Sequence, residues 1–166
     1  MKLVLTDVSV FFDLFEVQLL PEFFGMNWEI YTTGFVYNEI THQSQQEEFD
    51  QWVRSKKLLV LEFSGEEMEE ISLMETKFRN RSIADKSLLW KARDLSIPLL
   101  TCDAKLRKEA EHQKIEVHGS IWVIEKMNLN GVINNTVAIE KLELLKSINI
   151  RLPEDRINEL IRKLKK

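Results

Sequence analysis

The segment IPLLTCDAKLRKEAE, residues 97–111, changes character at its middle. Ile97 to Leu100 is a short apolar run of the kind that makes a buried strand. From Ala104 onward the apolar residues recur at helical spacing among charges. A strand passing directly into a helix is the building unit of parallel α/β sheets. Asp103 stands at the joint. Asp is a favoured helix N-cap, so the acid has an ordinary explanation there. The same place, just past the carboxyl end of a strand, is also where an open parallel sheet presents groups to a ligand.

Working outward, the alternation repeats. Leu3–Leu5 reads as a strand ending at Thr6-Asp7, and Val8–Phe15 as a helix. Trp28–Thr32 is a second strand. Gly34–His42 is expected to be helical, with Val36 and Ile40 on one face and Glu39 beside them. Gln46–Lys56 follows as another helix and Leu58–Phe63 as a strand. GEEMEEISLMETKFRN, residues 65–80, is expected to be an amphipathic helix with its charges outward. Ser82-Ile83-Ala84-Asp85 has the form of a capping box and opens a helix reaching about Ser96. Pro98 suits a strand start or an edge. Asp103–Gln113 is a helix and Ile115–His118 the last short strand. The implied class is α/β, a short central parallel sheet covered on both faces. Three helices are expected after it, over Ser120–Met127, Val137–Ile148 and Pro153–Lys165. They form a C-terminal extension (about 120–166) on a core of about 1–119.

Bulk properties bound the function. A chain of 166 residues suits one domain with a substantial core. With 44% apolar and 30% charged residues, its composition is that of a globular protein. MKLVLTDVSV lacks the features of a signal peptide, and no apolar run approaches the roughly 20 residues of a membrane span. Cys102 is the only cysteine, so no internal disulfide can form, which fits a cytoplasmic protein. The formal charge of −4 argues against nonspecific nucleic-acid binding over the whole surface. It is compatible with a local basic rim around a metal-loaded site.

Four acids can share the carboxyl edge of the sheet: Asp7 and Asp103 after their strands, Asp85 in the first turn of a helix, and Glu39 on an early helix. Each pair of carboxylates about 5 Å apart repels by roughly 3 kcal/mol at an effective dielectric near 20. Such a cluster takes up protons or holds a cation. An all-oxygen set favours hard cations such as Mg²⁺, Mn²⁺ or Ca²⁺, and such sites suit phosphodiester hydrolysis. Singly, each acid has a plainer reading: Asp103 a cap, Asp85 part of its capping box, Asp7 a strand terminator, Glu39 a solvated charge. Asp7 fits its plain reading least, because an acid behind a buried strand is costly without partners.

Together these residues resemble the PIN-domain family, specifically VapC-like toxin ribonucleases and a related bacterial subgroup with extra C-terminal helices. The likeness spans about the whole chain and is strongest in SIADKSLLWKARDLSIPLLTCDAKLRKEAEHQKIEVHG. Ser82, Asp85, Thr101 and Asp103 fit the family's small residue, acid, and Thr-x-Asp. VLTDVSVFF resembles its first strand, with Asp7 as the metal acid and Ser9 as the nearby hydroxyl. VYNEI resembles its Val-x-x-Glu, with Glu39 as the acid. Val8 replaces the small polar residue that often follows the first Asp. The resemblance implies a three-layer α/β/α fold and an endoribonuclease using one or two Mg²⁺ or Mn²⁺ ions. Asp7, Glu39, Asp85 and Asp103 would be the metal and catalytic acids, with Ser9, Thr101 and Ser82 supporting them. It also implies RNA as substrate, an antitoxin protein as partner, and a homodimer.

Other features have plainer explanations. Glu39 and His42 form a single Glu-x-x-His, whereas di-iron bundles need two. His112 and His118 fit surface or packing roles. Cys102 fits a buried strand-end thiol better than a nucleophile. Trp28, Trp52, Trp90 and Trp122 fall in amphipathic segments and fit the core. Lys86 and Lys105, near helix starts, either belong to solvated faces or guide RNA phosphates. A different class of function, a non-catalytic interaction module with the C-terminal helices as a docking surface, also fits the acidic overall charge.

Overall fold

The computed structural model describes residues 2–77 and 81–166. In chain order its elements are β1 (Lys2–Thr6), α1 (Val8–Glu16), α2 (Leu20–Gly25), β2 (Trp28–Thr33), α3 (Gly34–Tyr37) and α4 (Gln43–Arg54). There follow β3 (Leu58–Leu61), α5 (Gly65–Leu73), α6 (Ile83–Leu95), β4 (Leu99–Leu100), α7 (Ala104–His112) and β5 (Val117–His118). The chain closes with α8 (Ser120–Leu129), α9 (Asn135–Ile148) and α10 (Glu154–Leu164). The strands form one parallel sheet of order β3-β2-β1-β4-β5.

Successive strand residues face opposite sides of a sheet, and here both sides are dry. Val4 and Leu100 belong to one core with Phe11, Phe23, Phe24 and Phe49. Their neighbours Leu5 and Leu99 belong to a second core with Leu88, Leu89, Leu106 and Ala110. Helices α1, α2, α4 and α8–α10 supply the first core, and α6 and α7 most of the second. The result is the three-layer α/β/α arrangement. Phe11 centres the aromatic packing, its ring 4.9 Å from that of Phe49.

The C-terminal helices are tied into the first core. Ala138, Leu142, Leu145, Ile157 and Ile161 all belong to it. Asp13 of α1, 7% exposed, adds a polar anchor. It accepts from Ser120 Oγ at 2.7 Å and from Asn149 Nδ2 at 2.8 Å.

Two expected helices are shorter than their sequences suggest. The helix expected over 34–42 ends at Tyr37, and i→i−3 bonds then carry the chain through Glu39 and Ile40. The reason is tertiary. Val36 packs in the second core and Ile40 in the first. A continuous helix would have put these i, i+4 residues on one face, so the chain must turn instead. The helix expected over 65–80 stops at Leu73, where Met74 leaves the helical conformation and packs against the second core. Residues 78–80 of that expected helix lie outside the described residues. Its charges are not all outward, since Glu67 meets Lys91 at 2.8 Å and Glu70 accepts from Trp90 Nε1 at 3.0 Å. Helix α2 has no counterpart among the elements expected from sequence. Pro98 marks a strand start, because β4 lies between β1 and β5 rather than at an edge.

Candidate active site

The strand order places a switch point between β1 and β4. The chain steps outward from β1 through β2 to β3, then crosses to the far side of β1. In open parallel sheets, the crevice at such a point, outside the carboxyl ends of the strands, is where ligands bind. Asp7 and Thr101 are the residues that follow β1 and β4. Backbone pairing continues past both strands, from Asp7 N–H to Leu100 O at 2.9 Å and from Thr101 N–H to His118 O at 2.8 Å.

Asp7 is 6% exposed. Its Oδ2 accepts from Ser9 Oγ at 2.6 Å and from Thr101 Oγ1 at 2.8 Å. Thr101 Oγ1 in turn accepts from Asp103 N–H at 3.0 Å, and Ser9 Oγ accepts from Cys102 N–H at 2.9 Å. The two hydroxyls named from the sequence therefore lock the start of α1 to the β4–α7 turn. Burial pushes the Asp7 carboxyl above its ordinary value of 3.8, against the lowering effect of these hydrogen bonds, and the charge of Asp103 adds to the rise.

Asp103 is the N-cap of α7, its Oδ1 accepting from Lys105 N–H at 2.9 Å and Leu106 N–H at 2.7 Å. Its ordinary role is thus real, and half of its side chain stays exposed at 50%. Asp85 sits in the first turn of α6, held there by its own N–H donating to Ser82 Oγ at 3.0 Å. Ser82 therefore positions Asp85 through the backbone. Burial raises the Asp85 carboxyl, with the charges of Asp7 and Asp103 contributing. Glu39 lies on the turn after α3 and is exposed. Loss of hydration on the side that faces the site raises it, and so do the charges of Asp7 and Asp85. The four acids from four chain segments thus meet electrostatically at one edge.

One residue there has no counterpart in the sequence-derived set. Arg81, its side chain 9% exposed, has Nη1 3.4 Å from Asp85 Oδ2 and 4.0 Å from Asp103 Oδ1. It holds the Asp85 carboxyl down against burial. Its Nε has no hydrogen-bond partner among the described residues. The signal in the sequence was the i, i+4 spacing of Arg81 and Asp85, which a capping reading of Ser82 overshadows.

Among the described residues, no three acid, imidazole or thiol side chains are gathered tightly enough to hold a cation without adjustment. The donor set nevertheless fits one. It is all oxygen, Asp7, Glu39 and Asp85 are each raised in part by neighbouring acid charge, and Asp7 carries a carboxyl whose burial calls for a positive partner. The remaining candidates fall into structural roles. Burial pushes the Cys102 thiol up to about 12, which leaves it un-ionised, and its Sγ lies 3.0 Å from Ser120 Oγ. His118 stacks on Trp122 at 3.9 Å. Trp28, Trp52 and Trp122 pack against the first core, and Trp90 is buried. Glu39 and His42 do not share a helix. Lys86 is half-buried and Lys105 exposed, and among the described residues neither is ion-paired to the four acids.

A family model described as DUF3368, PIN domain, matches residues 3–166. Among solved structures, the chain is similar to a PilT N-terminus domain protein from the hyperthermophilic archaeon Sulfolobus solfataricus P2. That likeness has a TM-score of 0.52 at 13% identity and covers 76% of this chain and 93% of the other. At that identity it concerns the fold alone. No curated protein matches the chain. No helix among the described residues is long and apolar enough to cross a membrane.

Proposed function

The chain belongs to the PIN-domain family, whose members are generally nucleases, and on that premise we propose that it is a metal-dependent endoribonuclease. The observation that carries this reading is Asp7, buried at the β1–β4 switch point and under the charge of Asp103, with Asp85 and Glu39 each raised by the charge of Asp7. These four side chains would hold one or two Mg²⁺ or Mn²⁺ ions. When bound, such an ion lowers the pKa of a water and offsets charge developing on the phosphate.

The chain's own part is orientation. Ser9 and Thr101 fix the Asp7 carboxylate by two hydrogen bonds to one oxygen. The α7 backbone fixes Asp103 in the same way. Both acids therefore keep their rotamers without a ligand, which reduces the cost of assembling the site. Arg81 balances part of the negative charge while no other cation is present.

The finer reading is the toxin of a bacterial toxin–antitoxin pair, a homodimer restrained by an antitoxin. It is supported by the resemblance of the acid-bearing motifs to VapC-like ribonucleases. The test is cleavage of RNA by the purified chain with Mn²⁺ or Mg²⁺. Asp103→Asn should abolish it and EDTA should stop it, whereas cleavage that persists in EDTA would sink the proposal. Growth arrest on expression, relieved by Asp7→Ala, is the matching observation for the toxin role.

A further inference from the structure

A cleft of about 1030 Å³ opens beside the acid edge, between the β4–α7 and β5–α8 turns and helix α10. Cys102 and Ala104, which flank Asp103, form part of its wall. Its lining is strongly basic. Arg107, Arg151, Arg156, Arg162, Lys163 and Lys166 contribute six cationic side chains against the two acids Glu125 and Glu159. That balance is opposite in sign to the whole chain's charge of −4, so positive charge is gathered here from an acidic molecule.

Helix electrostatics explains only part of the gathering. Arg162 and Lys163 stand in the last turn of α10, where the macrodipole favours cations. Arg156 stands near the beginning of the same helix, where it does not. Arg107 comes from α7 and Arg151 from the turn before α10. Some of these charges have internal partners. Arg107 donates to Thr101 O at 3.0 Å and to Val117 O at 3.3 Å, and Lys163 meets Glu125 at 2.9 Å. The side chains of Arg151 and Lys166 have no hydrogen bond or ion pair among the described residues.

We propose that this cleft is the track for the phosphate backbone of a single-stranded RNA whose scissile bond lies at the carboxylates. The proposal rests on the nuclease reading and extends it. The cations along α10 from Arg156 to Lys163 span about 10 Å at 1.5 Å per residue, which exceeds one phosphate and suits a chain of them. The cleft and the acid edge also share a turn. The Thr101 hydroxyl serves Asp7 while its carbonyl receives Arg107. Gly119 makes this packing fit, because a Cβ there would lie 3.1 Å from Arg107 Nη2 and 3.3 Å from Thr101 O. The grip is electrostatic rather than base-reading. The Trp122 ring in the wall is already stacked on His118 at 3.9 Å and has Lys2 Nζ 4.4 Å from its centroid. Contacts to phosphate position a strand without reading its sequence, so the track is tolerant of sequence and sensitive to salt.

The experiment is fluorescence anisotropy of a labelled oligouridylate with the full chain in EDTA, so that binding is read without cleavage. Arg151→Glu with Lys166→Glu reverses the two unpartnered charges and should weaken binding about tenfold or more. If each makes one phosphate contact, it should also flatten the slope of log affinity against log salt by about 1.4. Arg156→Ala should act in the same direction, and thermal unfolding checks that the variants are folded. Binding of the double variant with wild-type affinity and slope overturns the track. Tighter binding of a poly-glutamate peptide than of RNA also overturns it and makes the cleft a protein-docking surface. If the wild type binds RNA with this dependence but never cuts it with Mn²⁺, the nuclease reading fails and the track stands. If the double variant binds and cuts as the wild type does, the track fails and the nuclease stands.

Discussion

Thr101 donates its hydroxyl to Asp7 Oδ2 at 2.8 Å across 94 residues of sequence. The bond joins the ends of two adjacent strands and fixes the most buried acid of the site. Thr101→Val keeps the shape and removes the donor. It should destabilise the chain by roughly 1–2 kcal/mol, raise the Asp7 carboxyl further, and reduce Mn²⁺-dependent RNA cleavage. Urea unfolding and a cleavage assay check both effects. Thr101→Ser, which retains the hydroxyl, should recover most of the activity.

Arg81 acts as the resident counter-charge of Asp85 and Asp103. Arg81→Gln should raise the Asp85 carboxyl further, because the guanidinium lowers it. It should also tighten Mn²⁺ uptake measured by calorimetry, since a competing cation has gone. Weaker uptake by the variant would instead assign Arg81 to holding the acids in place for the metal.

The acid site's own contribution to the pH dependence has a definite sign. Asp7, Glu39 and Asp85 are all raised in the folded chain, chiefly by burial. The folded state therefore holds protons that the unfolded state has released, and stability falls as pH rises through that window. The contribution is fully present below the ordinary values of 3.8 and 4.5, and it is lost as pH climbs through the raised ones. Against the opposite contributions of Glu67, Glu116 and His118, the acid site should lower the melting temperature of metal-free chain at neutral pH relative to Asp7→Asn. Mn²⁺ should reverse the loss at neutral pH, and Asp7→Asn should flatten the profile and melt higher than metal-free wild type there. A difference in melting temperature between Asp7→Asn and metal-free wild type that does not grow from pH 4 to 7 would contradict this.

Asp13 receives both Ser120 and Asn149. Asp13→Ala removes the carboxylate that receives both donors and should cost about 1–3 kcal/mol. The C-terminal helices should then exchange amide hydrogens faster than β1, which mass-resolved exchange would show.

How far the sequence reached depended on whether the signal was local. The strand at Leu3–Leu5, the cap at Ser82, the joint at Asp103 and the three last helices declare themselves within a few residues, and each appears close to its expected place. The short α3 could not be read locally, because its end is set by Val36 and Ile40 entering different cores. Asp13 carries no local signal of its role, since its partners lie 107 and 136 residues away. Arg81 is four residues from Asp85, but its second acid, Asp103, lies 22 residues on at the cap of α7, so the sequence spacing shows only half of its setting. The basic cleft draws on α7, the β5–α8 turn and α10, and no single window of sequence contains it.

The strand order carries a consequence for the growing chain. β1 sits at the centre of the sheet, but its two neighbours are made at very different times. β2 follows within about thirty residues, whereas β4 and Thr101 arrive only after α6. A nascent chain that has already produced Asp7, Glu39 and Asp85 still has an open strand edge where the site should close. Closing so long a loop is also the slow part of forming such a sheet. On the ribosome Asp7 therefore lacks its Thr101 partner until the Thr101–Asp103 turn has left the tunnel.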